Sequence, residues 1–406
     1  NIWLPLYLVV LGVIFASSTI IAQDFGAGRI QRIRDHLPQT LWVSVFLSLI
    51  VAPLCYYSHL GLPWLGIDEL TAEKSSEYIK MVAFGFPAIG IFMALRYHMQ
   101  GVGITSPFAV ASVIGFIANI PLNYMFIFGF GDIPAMGAQG CGIATAISMW
   151  LSAVIITLYV LTKKSLQQFM PPLRPVAPDP TTIKEILTIG APVGATFFLE
   201  TAVFAGIALL VSSLGDVAIG AHQIAFNVWD MFYIPMLAIG SSMATRMGHA
   251  LGAQDQQGVF MALKAGILCS GVISVTTMII LLSFPTAIVG IYSDSRDISL
   301  LAVRLLSFAA LFVIIDAVQI VGSFSMRAYK KTRFPFIASM VAYWLIALPL
   351  GYYLGIMNAD NAFDGAAGFW VGIIVGVAVA SVMIAVRLVL LLRQPIPTGF
   401  TPDYDV

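Results

Sequence analysis

The chain has 406 residues, 59% of them hydrophobic and 10% charged, with a mean hydropathy of +0.93; a soluble domain carries about 25% charged residues. Its 20 Lys and Arg balance 20 Asp and Glu, so nothing in the charge points to nucleic acid or to a polybasic lipid clamp. Cys55, Cys141 and Cys269 fall in apolar runs and read as small buried hydrophobes, not as a disulfide framework.

In chain order, about eleven segments are apolar over the roughly 20 residues a helix needs to cross a bilayer. They lie at 1–22, 38–58, 78–101, 106–130, 138–162, 186–214, 218–247, 258–283, 298–327, 334–356 and 366–393, separated by short polar or Gly/Pro connections. The alternating segments of about ten residues that build an outer-membrane barrel are absent, so the fold class is an all-α polytopic membrane bundle.

The cations set an orientation. Arg29, Arg32, Arg34, Lys163, Lys164, Arg174, Lys184, Arg327, Lys330, Lys331 and Arg333 gather on one side of these spans. Only Lys74, Lys80, Arg296 and Arg304 fall on the other, among Asp68, Glu69, Glu73, Asp360 and Asp364. The basic side is expected to be cytoplasmic, and the C-terminal tail with it. The apolar run at Asn1 has neither a basic n-region nor a small-residue cleavage site, which argues against a signal peptide.

The chain also repeats itself. "NIWLPLYLVVLGVIFASSTIIAQDFGAGR" from Asn1 aligns without gaps to "NVWDMFYIPMLAIGSSMATRMGHALGAQD" from Asn227, sharing Trp3/Trp229, Tyr7/Tyr233, Thr19/Thr245 and Gly26/Gly252. "MQGVGIT" at Met99 parallels "MRAYKKT" at Met326, "PLNY" at Pro121 parallels "PLGY" at Pro349, and "GAQG" at Gly137 parallels "GAAG" at Gly365. Two lobes of six helices related in this way face each other across a site in many transporters. The expected divisions are an N-terminal lobe at 1–162, a Pro-rich interlobe linker at 163–185, a C-terminal lobe at 186–394 and a tail at 395–406. Thr182 and Glu185 have capping-box spacing, so a helix is expected to start there. The second lobe has a helix, 186–214, ahead of the segment that matches Asn1. The expectation is that the counterpart first helix of the first lobe is missing from this sequence.

Glu200, Asp230 and Asp316 are the acids expected inside the membrane, each costing about 2.5–3.5 kcal/mol on insertion scales. Gln223, Asn227 and Asp230 share one helix face, and Asp316, Gln319 and Ser323 another. Thr196 stands one turn before Glu200, and Asn119 and Asn123 bracket Pro121. The bases within reach are few, with Arg96 the deepest and Arg327 near a span end. Acids without matching bases point to a proton or Na⁺ site in the second lobe, and an acidic, aromatic-flanked cavity favours organic cations. The bland reading is that a buried acid only fastens two helices. His222 reads as a packed neutral histidine, and Phe198, Phe204, Trp229 and Tyr233 read as core.

"PVGATFFLETAVFAGIALLV", "AHQIAFN", "RMGHALGAQD", "DAVQIVGSFSMRAYK", "NIPLNYMFIFG", "GAQGCGIATAIS" and "GAAGFWVGIIVG", spread over nearly the whole chain, resemble the multidrug and toxic compound extrusion (MATE) transporters of the NorM-like branch. The resemblance implies twelve helices in two lobes, alternating access, and export of cationic amphiphilic drugs or dyes driven by inward Na⁺ or H⁺. No other cofactor, no nucleic acid and no enzymatic activity is implied, and the expected setting is a monomer among the lipids of a bacterial inner membrane. Glu200 and Asp316 match the family's acidic cation ligands, as metal ligands if the ion is Na⁺. Phe312 stands where the pattern usually has a tyrosine, and Asp230 where it has a small hydroxyl residue. Asp230, Gln223, Asn227, Gln319, Thr196, Phe312, Asn119, Asn123 and Arg96 are candidates for a further cation or substrate cavity. Two competing functions are a flippase for lipid-linked oligosaccharide or lipid II, which would want arginines in its cavity, and an intramembrane enzyme, for which no H-E-x-x-H, G-x-S-x-G or doubled aspartate motif is found.

Overall fold

The computed structural model describes residues 3–65, 69–171 and 176–396. Asn1, Asp68, Arg174, part of the expected linker and all but the first two residues of the expected tail lie outside them. Among the described residues, ten helices are long and apolar enough to cross a membrane, or eleven if one bent pair counts as a single span. Strand-type pairing is limited there to one bridge, Phe130 to Ile133.

Two compact units divide the chain, Asn1–Phe197 and Phe198–Val406. The first contains α1 (Trp3–Gly26), α2 (Ile30–Tyr57), a 3₁₀ stretch (Ser58–Leu65), α3 (Glu69–Ala83), α4 (Phe86–Gly101), α5 (Ser106–Phe128), α6 (Gly137–Thr162), the short α7 (Lys164–Gln167) and the first half of α8 (Pro180–Ser212). The second contains the rest of α8, then α9 (Asp216–Gly252), α10 (Gln256–Ser283), the short α11 (Pro285–Val289), α12 (Arg296–Ala328), α13 (Arg333–Met340), α14 (Leu348–Tyr352) and α15 (Ala362–Leu392).

The change of unit falls inside α8, twelve residues beyond the lobe start expected at 186. Close backbone approach explains it. A Cβ added at Gly194 would meet the Val9 carbonyl at 2.9 Å, and one at Gly12 would meet Gly194 Cα at 2.5 Å. Only glycine lets α8 lie this near α1. Ile186 and Ile189 then close an apolar cluster with Val13, Ala16, Ile20 and Val43.

The start of α8 also differs from the expectation. The Asp179 carboxylate accepts from Thr181 N at 3.1 Å and Thr182 N at 3.0 Å. Asp179 is therefore the cap, with Pro180 as the first helical residue. Hydrogen bonding, foremost from the Thr182 hydroxyl, holds the Asp179 carboxyl below its ordinary range. Glu185 is freed from capping and pairs with Arg32 at 3.1 Å. Asp24, which is not among the three acids expected inside the membrane, is buried in the last turn of α1, where Arg29 at 3.0 Å and Arg32 at 3.3 Å balance it.

The span expected at 78–101 is a broken one, α3 and α4 meeting at 49°. Pro87 in the first turn of α4 has no N–H to continue the ladder from α3, so the chain bends at Phe84 and Gly85. The span expected at 334–356 is helical but uneven. Wide π-type turns at Val341–Ala347 and Tyr353–Met357 flank Pro349, whose missing N–H interrupts the ordinary pattern.

Helix ends carry the duplication into three dimensions. At the 226-residue offset, Gly26 ends α1 as Gly252 ends α9, and α2 and α10 begin at Ile30 and Gln256. The turns match as well. Among the described residues, Gln254 (φ 58°) and Lys330 (φ 57°) are the non-glycine residues with positive φ, and their repeat counterparts are Gly28 (φ 71°) and Gly103 (φ 81°).

Candidate functional site

The polar interior of the second unit is built by α8, α9, α12 and α13 with the turn that follows it. Asp316, on α12, is 3% exposed, and its Oδ2 is buried with no hydrogen-bond partner. An uncompensated buried carboxylate is costly unless a proton, a cation or a donor fills it. Glu200, on α8, lies within electrostatic reach of Asp316. Its Oε1 accepts from Ser339 Oγ at 3.1 Å. Ser339 in turn accepts from Gln319 Nε2 at 3.4 Å, and Gln319 Oε1 faces the Tyr343 hydroxyl at 3.5 Å. The donors run in one direction, Tyr343 to Gln319 to Ser339 to Glu200, and hold the carboxylate from three helical segments. Trp344 Nε1 adds a bond to the Leu199 carbonyl at 3.3 Å, fixing the α8 backbone beside Glu200.

Aromatic rings wall this polar group. Trp229 packs on Phe204 (5.4 Å), Phe226 (5.3 Å), Tyr233 (4.9 Å) and Phe312 (5.3 Å). Phe204 also meets the Tyr343 ring at 5.8 Å. The Trp229 indole is directed at Asp316, but its Nε1 stops short of hydrogen-bond geometry and is left without a partner. Arg327, 4% exposed at the end of α12, stacks on Phe324 at 4.4 Å, and its charge reaches Glu200. Two carboxylates, the serine hydroxyl and the glutamine carbonyl are hard oxygen donors suited to a proton or Na⁺. Among the described residues there is no group of three or more His, Cys, Asp or Glu placed to hold a metal ion.

Of the residues singled out in the sequence, Glu200, Asp316, Gln319 and Phe312 come together here, Phe312 as part of the aromatic wall at 1% exposure. Gln223, Asn227 and Asp230 do share a face of α9, but it is an exposed strip apart from the buried Trp229. Thr196 turns its hydroxyl back to the Pro192 carbonyl at 2.7 Å, away from Glu200 in bonding. In the first unit, Asn123 donates to Asn119 at 2.7 Å and Asn119 donates to Ser148 at 3.1 Å, tying α5 to α6. Arg96 lies over the Phe108 ring at 4.0 Å and the Tyr97 ring at 5.1 Å. Ser339 and Tyr343 were not singled out. Their signal is slight, a serine and a tyrosine four residues apart in the apolar run "FIASMVAYW".

The MatE family profile matches residues 1–125 and 192–353. "Multidrug resistance protein NorM" of Photobacterium profundum is 34% identical over 96% of this chain and 85% of its own length. "Multidrug resistance protein MdtK" of Edwardsiella ictaluri is 35% identical over 97% of this chain and 87% of its own length. Among solved structures, the eukaryotic MATE transporter AtDTX14 superposes with a TM-score of 0.85 at 20% identity, covering 95% of this chain and 84% of that one. A MATE protein in its bent conformation gives 0.86 at 17% identity, covering 96% and 85%. The fold is that of the MATE transporters, and the chain belongs to the MatE family.

Proposed function

We propose that the protein is a secondary active efflux antiporter that exports organic cations in exchange for inward Na⁺ or H⁺. The observation that carries this reading is the buried, open oxygen of Asp316 beside the anchored carboxylate of Glu200. A coupling cation would neutralise both acids at once. Its departure would leave two carboxylates uncompensated in a water-poor interior, and a second arrangement of the helices that lets in water or a cationic substrate would then be favoured. This supplies the differential binding that alternating access requires. The names of the relatives, multidrug resistance proteins, support drugs as cargo, and the acidic pair favours cationic ones. The expected setting is a bacterial inner membrane, with a single chain as the working unit and its C-terminal end on the basic, cytoplasmic side.

The test is ethidium efflux from proteoliposomes under separately imposed Na⁺ and H⁺ gradients. Efflux driven by Na⁺ alone assigns Glu200, Asp316, Ser339 and Gln319 as oxygen ligands. Efflux driven by H⁺ alone assigns the two acids as proton carriers. Efflux under neither gradient would reject the antiporter reading.

A further inference from the structure

The rings beside the polar interior of the second unit close on themselves. His222 meets Phe226 at 6.3 Å, Phe226 meets Trp229 at 5.3 Å, and Trp229 meets Phe312 at 5.3 Å. Phe312 meets Trp370 at 6.2 Å, and Trp370 returns to His222 at 6.0 Å. Among the described residues no further ring contact crosses this circuit. Its surface is mostly apolar, yet it carries three nitrogens that are buried and unpartnered, His222 Nδ1, Trp229 Nε1 and Trp370 Nε1. None of these three residues is more than 4% exposed. Asp316 stands one turn from Phe312 on α12, and its open Oδ2, with the Trp229 indole directed at it, lies at one edge of the circuit.

A buried polar atom without a partner has lost its hydration and gained nothing, and four gathered in one place call for a shared partner. The two indole N–H groups donate, the carboxylate accepts, and Nδ1 does either according to its tautomer. Water has two donors and two acceptors and satisfies all four, whereas an anion is repelled by Asp316 and an apolar molecule satisfies none. Position adds a direction. His222 stands about two turns nearer than Trp229 to the start of α9 at Asp216, and Trp370 lies in the first third of α15, which starts at Ala362. Both helices start on the side away from the basic clusters, the side from which an inward cation is expected to come. The circuit thus has an outer edge at His222 and Trp370 and an inner edge at Trp229, Phe312 and Asp316.

We propose that this circuit holds ordered water and is the passage by which the coupling cation reaches Asp316, with His222 and Trp370 as the residues that hold the water at its outer edge. The passage rests on the antiporter reading given above. Fixed waters let a cation cross an aromatic wall without giving up its hydration to apolar contact. His222 and Trp370 stand at the edge away from Asp316, so they act on the rate of arrival and leave the bound and unbound end states as they are.

Two measurements on the full chain in proteoliposomes test this. X-ray hydroxyl-radical labelling, read by mass spectrometry, marks side chains that touch ordered water even where they are buried. Trp229 and Trp370 should be labelled in the parent, and the label on Trp370 should fall in His222→Phe, which keeps a ring and removes the nitrogens. Under whichever gradient drives the parent, His222→Phe should slow ethidium efflux about tenfold or more, and Trp370→Phe about threefold. The cation concentration that half-displaces ethidium at equilibrium should move by less than about twofold in both. His222→Asn, whose amide can bond the same water, should recover most of the rate, which a merely space-filling role for His222 does not predict. Unlabelled Trp229 and Trp370 in the parent would overturn the proposal. So would His222→Phe working at the parent's rate, and in that case the antiporter reading stands because the parent remains gradient-driven. A loss of equilibrium displacement as large as the loss of rate would also overturn it, by making His222 part of the cation site itself. A parent that responds to neither gradient removes the antiporter reading and the passage with it.

Discussion

The two units share a scaffold and differ in what they bury. Helix ends coincide at the repeat offset, and even the left-handed turn positions are kept where glycine has given way to Gln254 and Lys330. The polar interiors have diverged. The first unit holds amide and hydroxyl groups, Asn119, Asn123 and Ser148, bonded to one another with no acid among them. The second holds Glu200 and Asp316, one anchored by Ser339 and the other left open. Duplication supplies the frame; the buried acid of the first unit, Asp24, is paired with Arg29 and Arg32, whereas Asp316 of the second has a carboxylate oxygen with no hydrogen-bond partner. The asymmetry points to the second unit as the place where a cation is taken up.

The largest test of this comparison is to erase the difference. Glu200→Gln and Asp316→Asn preserve shape and remove charge, and each is expected to reduce gradient-driven efflux about tenfold or more, because an intramembrane acid is functional by default. Melting temperatures in detergent should hold or rise, since a charge within an apolar span is lost. The next largest effect belongs to the scaffold of the first unit. Gly194→Leu forces α8 off α1 and should cost about 3 kcal/mol or more, read as a lowered thermal midpoint. A smaller effect comes from the second unit's hydrogen-bond chain. Ser339→Ala removes the donor to Glu200 and should shift cation affinity by about 1 kcal/mol, roughly fivefold, with little change in folding.

Two local changes sharpen the picture further. Asp179→Ala removes the α8 cap and should cost about 1 kcal/mol of stability. Because the folded carboxyl is held below its ordinary range, that contribution is present above the unfolded pKa and is lost as pH falls through the lower, folded value. The variant and the parent should therefore converge in melting temperature only in acid. Gln254→Gly relieves a left-handed non-glycine turn and should change stability by less than about 1 kcal/mol, as a small gain.

Much of this was legible before the structure. Span number, the duplication and the two intramembrane acids follow from hydropathy, gap-free alignment and the cost of charge in lipid. Four things were not. Hydropathy does not register a bend such as that at Gly85, because both sides of it are apolar. The face shared by Gln223, Asn227 and Asp230 was read correctly as a face, but periodicity cannot tell a face turned to the unit's interior from an exposed one. Ser339 and Tyr343 join Glu200 only because the segment carrying them packs beside α8, a tertiary fact with no periodic signature. The cap of α8 was missed for a simpler reason. Asp179 followed by Pro180 is the stronger start, and Glu185, which completes the competing pattern, has an ion-pair partner 153 residues away in sequence.

The central claim is that an inward cation and an outward substrate compete through Glu200 and Asp316. The most direct measurement is the equilibrium affinity for ethidium, by fluorescence, as Na⁺ concentration and pH are varied, in the parent chain and in the Glu200→Gln/Asp316→Asn double variant. The account predicts that raising one of the two cations weakens dye binding in the parent and leaves the double variant unmoved, as reciprocal linkage requires. A parent indifferent to both cations, or a double variant that keeps the full competition, would contradict it.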